Sequence, residues 1–219
     1  VKGLIVEEPE QPTAAAPTMP EASGLTLETE SRIAKNLVGT QFTNEITAIE
    51  AKFNKAEGEE KIKLAQQLAE KWQDVEQSTA SAMYLEVIAM DRNLLDDWIE
   101  TGDRFISAFE KEVDSLKKPS LLIKANSAFN HALAIDPENL NAQTGAGVAI
   151  VNGMGAPMDG IAMLVEVVNK DPKNVKALMQ LGLFSVKSGQ FDKAIERFKS
   201  VLEIKKSFEA YFFLATAYE

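Results

Sequence analysis

The stretch GQFDKAIERFKSVLEI, residues 189–204, decides how the rest of the chain is read. Its apolar residues Phe191, Ala194, Ile195, Phe198, Val201, Leu202 and Ile204 fall at steps of three and four, on one face of a helix. Lys193, Glu196, Arg197 and Lys199 stand largely opposite. One amphipathic helix says little about architecture, but the same pattern at a fixed interval would set the fold class.

The pattern recurs. Upstream of it, Leu178, Leu181, Gly182 and Ser185 lead into Ala194, Phe198 and Val201. One interval earlier, Gly147 matches Gly182, Gly160 matches Ala194, Leu164 matches Phe198 and Val167 matches Val201, each offset by 34 or 35 residues. A further 35 residues back stand Ala125, Phe129, Ala132 and Pro137, preceded by Trp98, Gly102 and Phe105. Leu68, Ala69 and Trp72, followed by Ala80, Tyr84 and Val87, form a weaker copy. Tyr211, Leu214, Ala215 and Tyr218 open another. Asp-Pro closes two copies, at 136–137 and 171–172.

A period near 34 with W-x2-L-G-x2-Y, A-x3-F and a closing proline resembles the tetratricopeptide repeat, over about residues 60–219. The resemblance implies an all-α fold, a right-handed superhelix of stacked helical hairpins. Side-chain sizes agree with it independently. Gly102, Gly147, Gly182 and Ala215 would let two helices cross closely, and Tyr84, Phe129, Leu164 and Phe198 would fill the space beside them. Asp-Pro ends a helix because the residue before proline is pushed out of helical geometry. Gly189 suits the tight turn inside a hairpin. No hairpin buries its face alone, so the hairpins must stack.

One copy is longer. Gly182 to Ala194 is 12 residues, whereas Gly102 to Ala125 is 23. Phe105, Phe109, Val113 and Leu116 carry an apolar stripe through the extra segment, and Pro119 suits the first turn of a returning helix. The reading predicts helix over 106–116, with the stripe covered by the 26–56 region or by a second molecule.

The organisation expected is an extended Pro/Ala/Thr-rich leader over 1–25, an N-terminal helical segment over 26–58 and the repeat domain over 59–219. Within the domain, repeats fall at about 60–92, 94–137 with the elongated hairpin, 138–172 and 173–206, with a partial copy at 207–219. In the helical segment Ile33 and Leu37 begin a stripe, Gly39 breaks it, and Phe42, Ile46, Ile49 and Phe53 continue it. That stripe packs on the body of the chain or makes a homodimer seam.

The 219 residues are 26% charged and 45% hydrophobic, with a net charge of −10, so no basic surplus exists to neutralise phosphates. No nucleic-acid partner is expected, nor membrane insertion, since no apolar run approaches the roughly 20 residues a span needs. Without cysteine, disulfides, thiolate sites and cysteine nucleophiles are excluded. His131 is alone and lacks the partners of a metal site. GAGVAIVNGMG (145–155) lacks both G-x-G-x-x-G and GK[ST], and the register puts Gly145 and Gly147 in a helix and Gly153 and Gly155 in its turn. The reading therefore expects no enzyme, no catalytic residues, no cofactor and no metal.

Arrays of this family typically hold an extended peptide against the concave face formed by the first helix of each repeat. By register the candidate lining positions are Asn141, Thr144, Val148, Val151 and Asn152 in one repeat. Lys176, Met179, Gln180, Leu183 and Lys187 come from the next, and Phe212 and Phe213, with Glu209 and Thr216, from the partial copy. The clamp for acidic tails is incomplete, because Gln180 stands where an arginine is needed and Asp96, Glu100 and Asp103 would repel a carboxylate. The expected function is a non-catalytic protein-interaction scaffold taking a protein or peptide with apolar anchors, bound mainly by burial with weak salt dependence. The segment GLIVEE at 3–8 fits that description itself. The alternative is an accessory module of a larger membrane-anchored or envelope assembly. The acidic leader resembles the spacer behind a signal or anchor in bacterial envelope proteins, which makes an extracytoplasmic, periplasmic location the expectation.

Overall fold

The computed structural model describes residues 24–219 apart from Met154. Residues 1–23, and with them most of the expected leader and the GLIVEE segment, lie outside the described residues. Eleven helices are formed among the described residues: α1 (Leu27–Lys35), α2 (Thr40–Phe53), α3 (Gly58–Asp74), α4 (Ser78–Arg92), α5 (Leu95–Lys111), α6 (Lys118–Ile135), α7 (Leu140–Gly153), α8 (Pro157–Lys170), α9 (Val175–Lys187), α10 (Phe191–Ile204) and α11 (Phe208–Tyr218). From α2 onward each helix packs on the next in sequence, and α5–α7, α7–α9 and α9–α11 also touch. The chain is thus an all-α stack of tetratricopeptide-type hairpins, α3–α4, α5–α6, α7–α8 and α9–α10, in which the first helices α5, α7 and α9 touch in series as an inner layer and the Arg104–Gln73 hydrogen bond links α5 to α3.

Glycines make the helix crossings. A Cβ on Gly102 would lie 2.6 Å from Phe129 Cζ, and one on Gly145 only 2.2 Å from the same atom. The fully enclosed Phe129 ring is therefore held between the bare backbones of α5 and α7. Gly182 receives Phe198 in the same way, at 2.5 Å, and Gly147 faces Leu164 at 3.0 Å. The joints between hairpins repeat as well. Asp136 and Asp171, both extended, take the Glu138 and Lys173 amides on their carboxylates at 3.2 and 3.0 Å. Asn139 and Asn174 then cap the next helix, accepting from the Ala142 and Ala177 amides at 3.1 and 3.0 Å. Inside the last complete hairpin, Gly189 turns the chain at φ +72.

The long hairpin departs from the expectation for 106–116. α5 ends at Lys111, and residues 112–117 form a turn. The Glu112 carboxylate accepts the Val113 and Asp114 amides at 2.9 and 3.0 Å, and Asp114 accepts that of Leu116 at 2.9 Å. These local acceptors compete with the helical ladder and stop it. Val113 and Leu116 are consequently 95% and 87% exposed, not covered. The extra length appears as about one added turn on each helix: α5 and α6 have 17 and 18 residues against 13 and 14 in α9 and α10.

The N-terminal segment packs on the same chain, α1 against α4 and α2 against α3. Ile46 and Phe53, candidates for a dimer seam, are buried there, while Ile33 and Leu37 are exposed, contrary to the stripe expected of them. Leu25, assigned to the leader, is buried in the central core with Phe105 and Leu121. Glu50 of α2 ties this region together, accepting from Ser31 and Lys35 of α1 and from the Tyr84 hydroxyl of α4 at 2.8 Å. Burial, then the adjoining Glu50 charge, pushes the Tyr84 phenol far above its usual range. Glu30, nearly fully buried, pairs with Lys117, which fastens α1 to the α5–α6 turn.

Candidate functional site

The inner layer carries a cavity of about 130 Å³ where α5, α7 and α9 converge. α5 supplies Ile106, Phe109 and Glu110, α7 supplies Val148, Val151 and Asn152, and α9 supplies Gln180, Leu183, Phe184 and Lys187. Within each helix Ile106–Phe109, Val148–Val151 and Gln180–Leu183–Lys187 are three or four residues apart, so each helix turns one stripe to the cavity, with Ile106 and Val148 buried at its base. The floor is apolar and the polar ends are open. Asn152 donates its amide to the Val148 carbonyl at 2.9 Å, and its side-chain oxygen has no hydrogen-bond donor among the described residues. Gln180 makes no hydrogen bond among the described residues, and Lys187 makes no ion pair among them.

Six expected positions meet here: Val148, Val151, Asn152, Gln180, Leu183 and Lys187. The other six lie elsewhere. Asn141 is exposed at the start of α7, away from the cavity. The Thr144 hydroxyl is buried and donates to the Leu140 carbonyl at 2.6 Å. Met179 is buried among α9, α10 and α11. Lys176 pairs with Asp103 of α5, spanning two inner helices. Phe213 stacks on Phe198 with centroids 5.9 Å apart, and Phe212 is exposed on α11 beside Phe208.

Four lining residues were not anticipated. Ile106 occupies the register position of Val151, at a helix step past Gly102 equal to that of Val151 past Gly147. Phe109 and Glu110 lie on the added turn of α5, so the elongation extends the wall of the groove. Phe184 adjoins Leu183 and completes the same stripe.

Upstream, α3, α4 and α5 enclose a second cavity of about 200 Å³. Ala69, Leu85 and Ile88 form its apolar part, and Glu70, Asp74, Asp97 and Glu100 face one guanidinium, that of Arg104. Arg104 donates to Gln73 at 2.8 Å and Ser81 at 2.6 Å, and reaches Glu100 at 3.4 Å. At the other cavity, partial burial and then the charge of Glu209 on α11 raise the Glu110 carboxyl above the usual carboxylate range, against a smaller opposing effect of Lys176. A larger cleft, about 390 Å³, lies outside the inner layer between α1 and the α5–α6 turn.

His131 is exposed, and its ring stacks on Trp98 at 4.2 Å. Gly145 and Gly147 are helical as expected, whereas Gly153 closes α7 and only Gly155 lies in the turn. Among the described residues no group of three or more His, Asp or Glu side chains is arranged to hold a metal ion. No helix among them is long and apolar enough to cross a membrane.

No protein-family model and no curated protein matches the sequence. Solved structures do resemble it. A thermophilic TPR protein of Thermus thermophilus superposes with a TM-score of 0.59 at 13% identity, covering 88% of this chain and 99% of its own. A structure of MamA, from residue 41 to its end, from Desulfovibrio magneticus RS-1 gives 0.52 at 18% identity, covering 74% of this chain and 85% of its own. Likeness at that identity shows the tetratricopeptide fold.

Proposed function

We propose that the chain is a non-catalytic interaction module that holds an extended segment of a partner protein along its inner helices. The observation carrying this reading is the α5–α7–α9 cavity, where an apolar floor is bordered by the unengaged Gln180 amide and the Asn152 oxygen. Apolar anchors of a segment would fill the floor, and its backbone amides would bond to the two side-chain amides. A recess with half-buried apolar walls and a few polar groups converging on it is the usual form of a ligand site.

The test uses random twelve-residue peptides selected by display on the full chain. Leu183 is half-buried and packs on the α9–α10–α11 core, so Leu183→Glu should lower the melting temperature modestly and leave the chain folded, while weakening the selected peptides by at least about tenfold through loss of a central apolar anchor. Equal affinity of the folded variant and the wild type would remove the groove from the account.

A further inference from the structure

We infer that the segment held in this groove is basic as well as apolar: its anchors enter the α5–α7–α9 cavity and its lysine or arginine side chains meet the carboxylates of α3 and α5. This inference rests on the groove reading above and names the partner chemistry that reading leaves open.

The charges along the inner layer are uneven. The upstream cavity is lined by four carboxylates and one cation, Arg104, three of whose five N–H donors go to Gln73, Ser81 and Glu100. Asp97 has Arg92 beside it at 3.2 Å. Glu70 and Asp74 have no cation within ion-pair distance among the described residues. In the downstream cavity Glu110 makes no ion pair among the described residues, and Lys176 is held by Asp103. Lys187, at the far end of α9, is the one cation lining that cavity among the described residues. An acidic segment would meet repulsion along α3 and α5. A neutral one would fill the apolar floor but leave Glu70, Asp74 and Glu110 unanswered. A basic one satisfies both features, and its approach is also favoured by the net charge of −10. The apolar floor in turn selects against a cation without side-chain anchors. Where burial alone implies weak salt dependence, the carboxylates that flank the groove make binding of a basic segment salt-sensitive.

The same display selection, run on wild type and Leu183→Glu, tests this. Peptides whose enrichment requires Leu183 should carry a net positive charge together with apolar residues. The strongest of them is then compared, by fluorescence anisotropy, with a copy in which every Lys and Arg is replaced by Gln. Wild type should prefer the basic peptide by about tenfold at about 50 mM salt, and the preference should shrink to about threefold or less at about 500 mM. The double variant Glu70→Gln/Glu110→Gln should cut the preference at about 50 mM salt to about threefold or less. Leu183-dependent peptides that are neutral or acidic, or a preference unchanged by the double variant, would overturn the charge assignment and leave the groove standing. Enrichment indifferent to Leu183→Glu would overturn the groove itself.

Discussion

Phe129→Ala is expected to destabilise the fold by about 3–5 kcal/mol, the range for emptying a large enclosed aromatic site. The ring is fully buried and stands between two helices whose glycines carry no side chain to fall into the space. The converse change is also costly. A methyl group on Gly145 would sit 2.2 Å from the ring, and retreat is blocked because the ring also lies against Gly102, where an added Cβ would stand 2.6 Å from it. Gly145→Ala should therefore cost at least about 1–3 kcal/mol by overpacking. Phe129→Leu in that background should recover part of the loss, since two residues in direct contact do not add independently. Denaturation midpoints of the three variants decide it. A Phe129→Ala protein within about 1 kcal/mol of wild type would mean that the glycine crossings do not hold the hairpins together.

Ala194→Glu should destabilise by several kcal/mol, because it puts a carboxylate without a partner into a site with no solvent access. Ala194 lies on α10 in the cluster formed with Leu178, Phe198 and Val201, and the part-buried cation of that helix contact, Arg197, is already held by the Leu181 carbonyl and Ser185. Lys193→Glu, one residue earlier and exposed, supplies the control and should stay within about 0.5 kcal/mol. Equal melting temperatures for the two variants would show the helix turned by about 100° from the register described.

These sites were legible in the sequence because steric fit leaves few choices. A bulky residue must face a small one where helices cross, and Gly102, Gly182, Phe129 and Phe198 stated that at fixed spacing. The joints were half legible: Asp-Pro marked the ends of α6 and α8, but the caps at Asn139 and Asn174 went unread. The end of α5 was hidden. Val113 and Leu116 continue the apolar spacing, and nothing in periodicity shows that Glu112 and Asp114 will take the turn amides instead. Register brought half of the candidate positions to one cavity. Thr144 and Met179 were not, since a position close to the groove stripe can still turn toward the neighbouring helix. Glu110 escaped notice because it sits on the added turn of the long helix. The Lys176–Asp103 pair, 73 residues apart in sequence, depends on stacking that no local pattern contains.

The concave groove is the central claim, and site-directed crosslinking tests it most directly. A Leu183-dependent peptide carrying a benzophenone in place of its apolar anchor is irradiated on the full chain, and the attachment points are read by mass spectrometry. The account predicts attachment on α5, α7 and α9, at or beside Phe109, Val151 and Leu183. Attachment to the second helices α6, α8 and α10, or to the cleft beside α1, would contradict it.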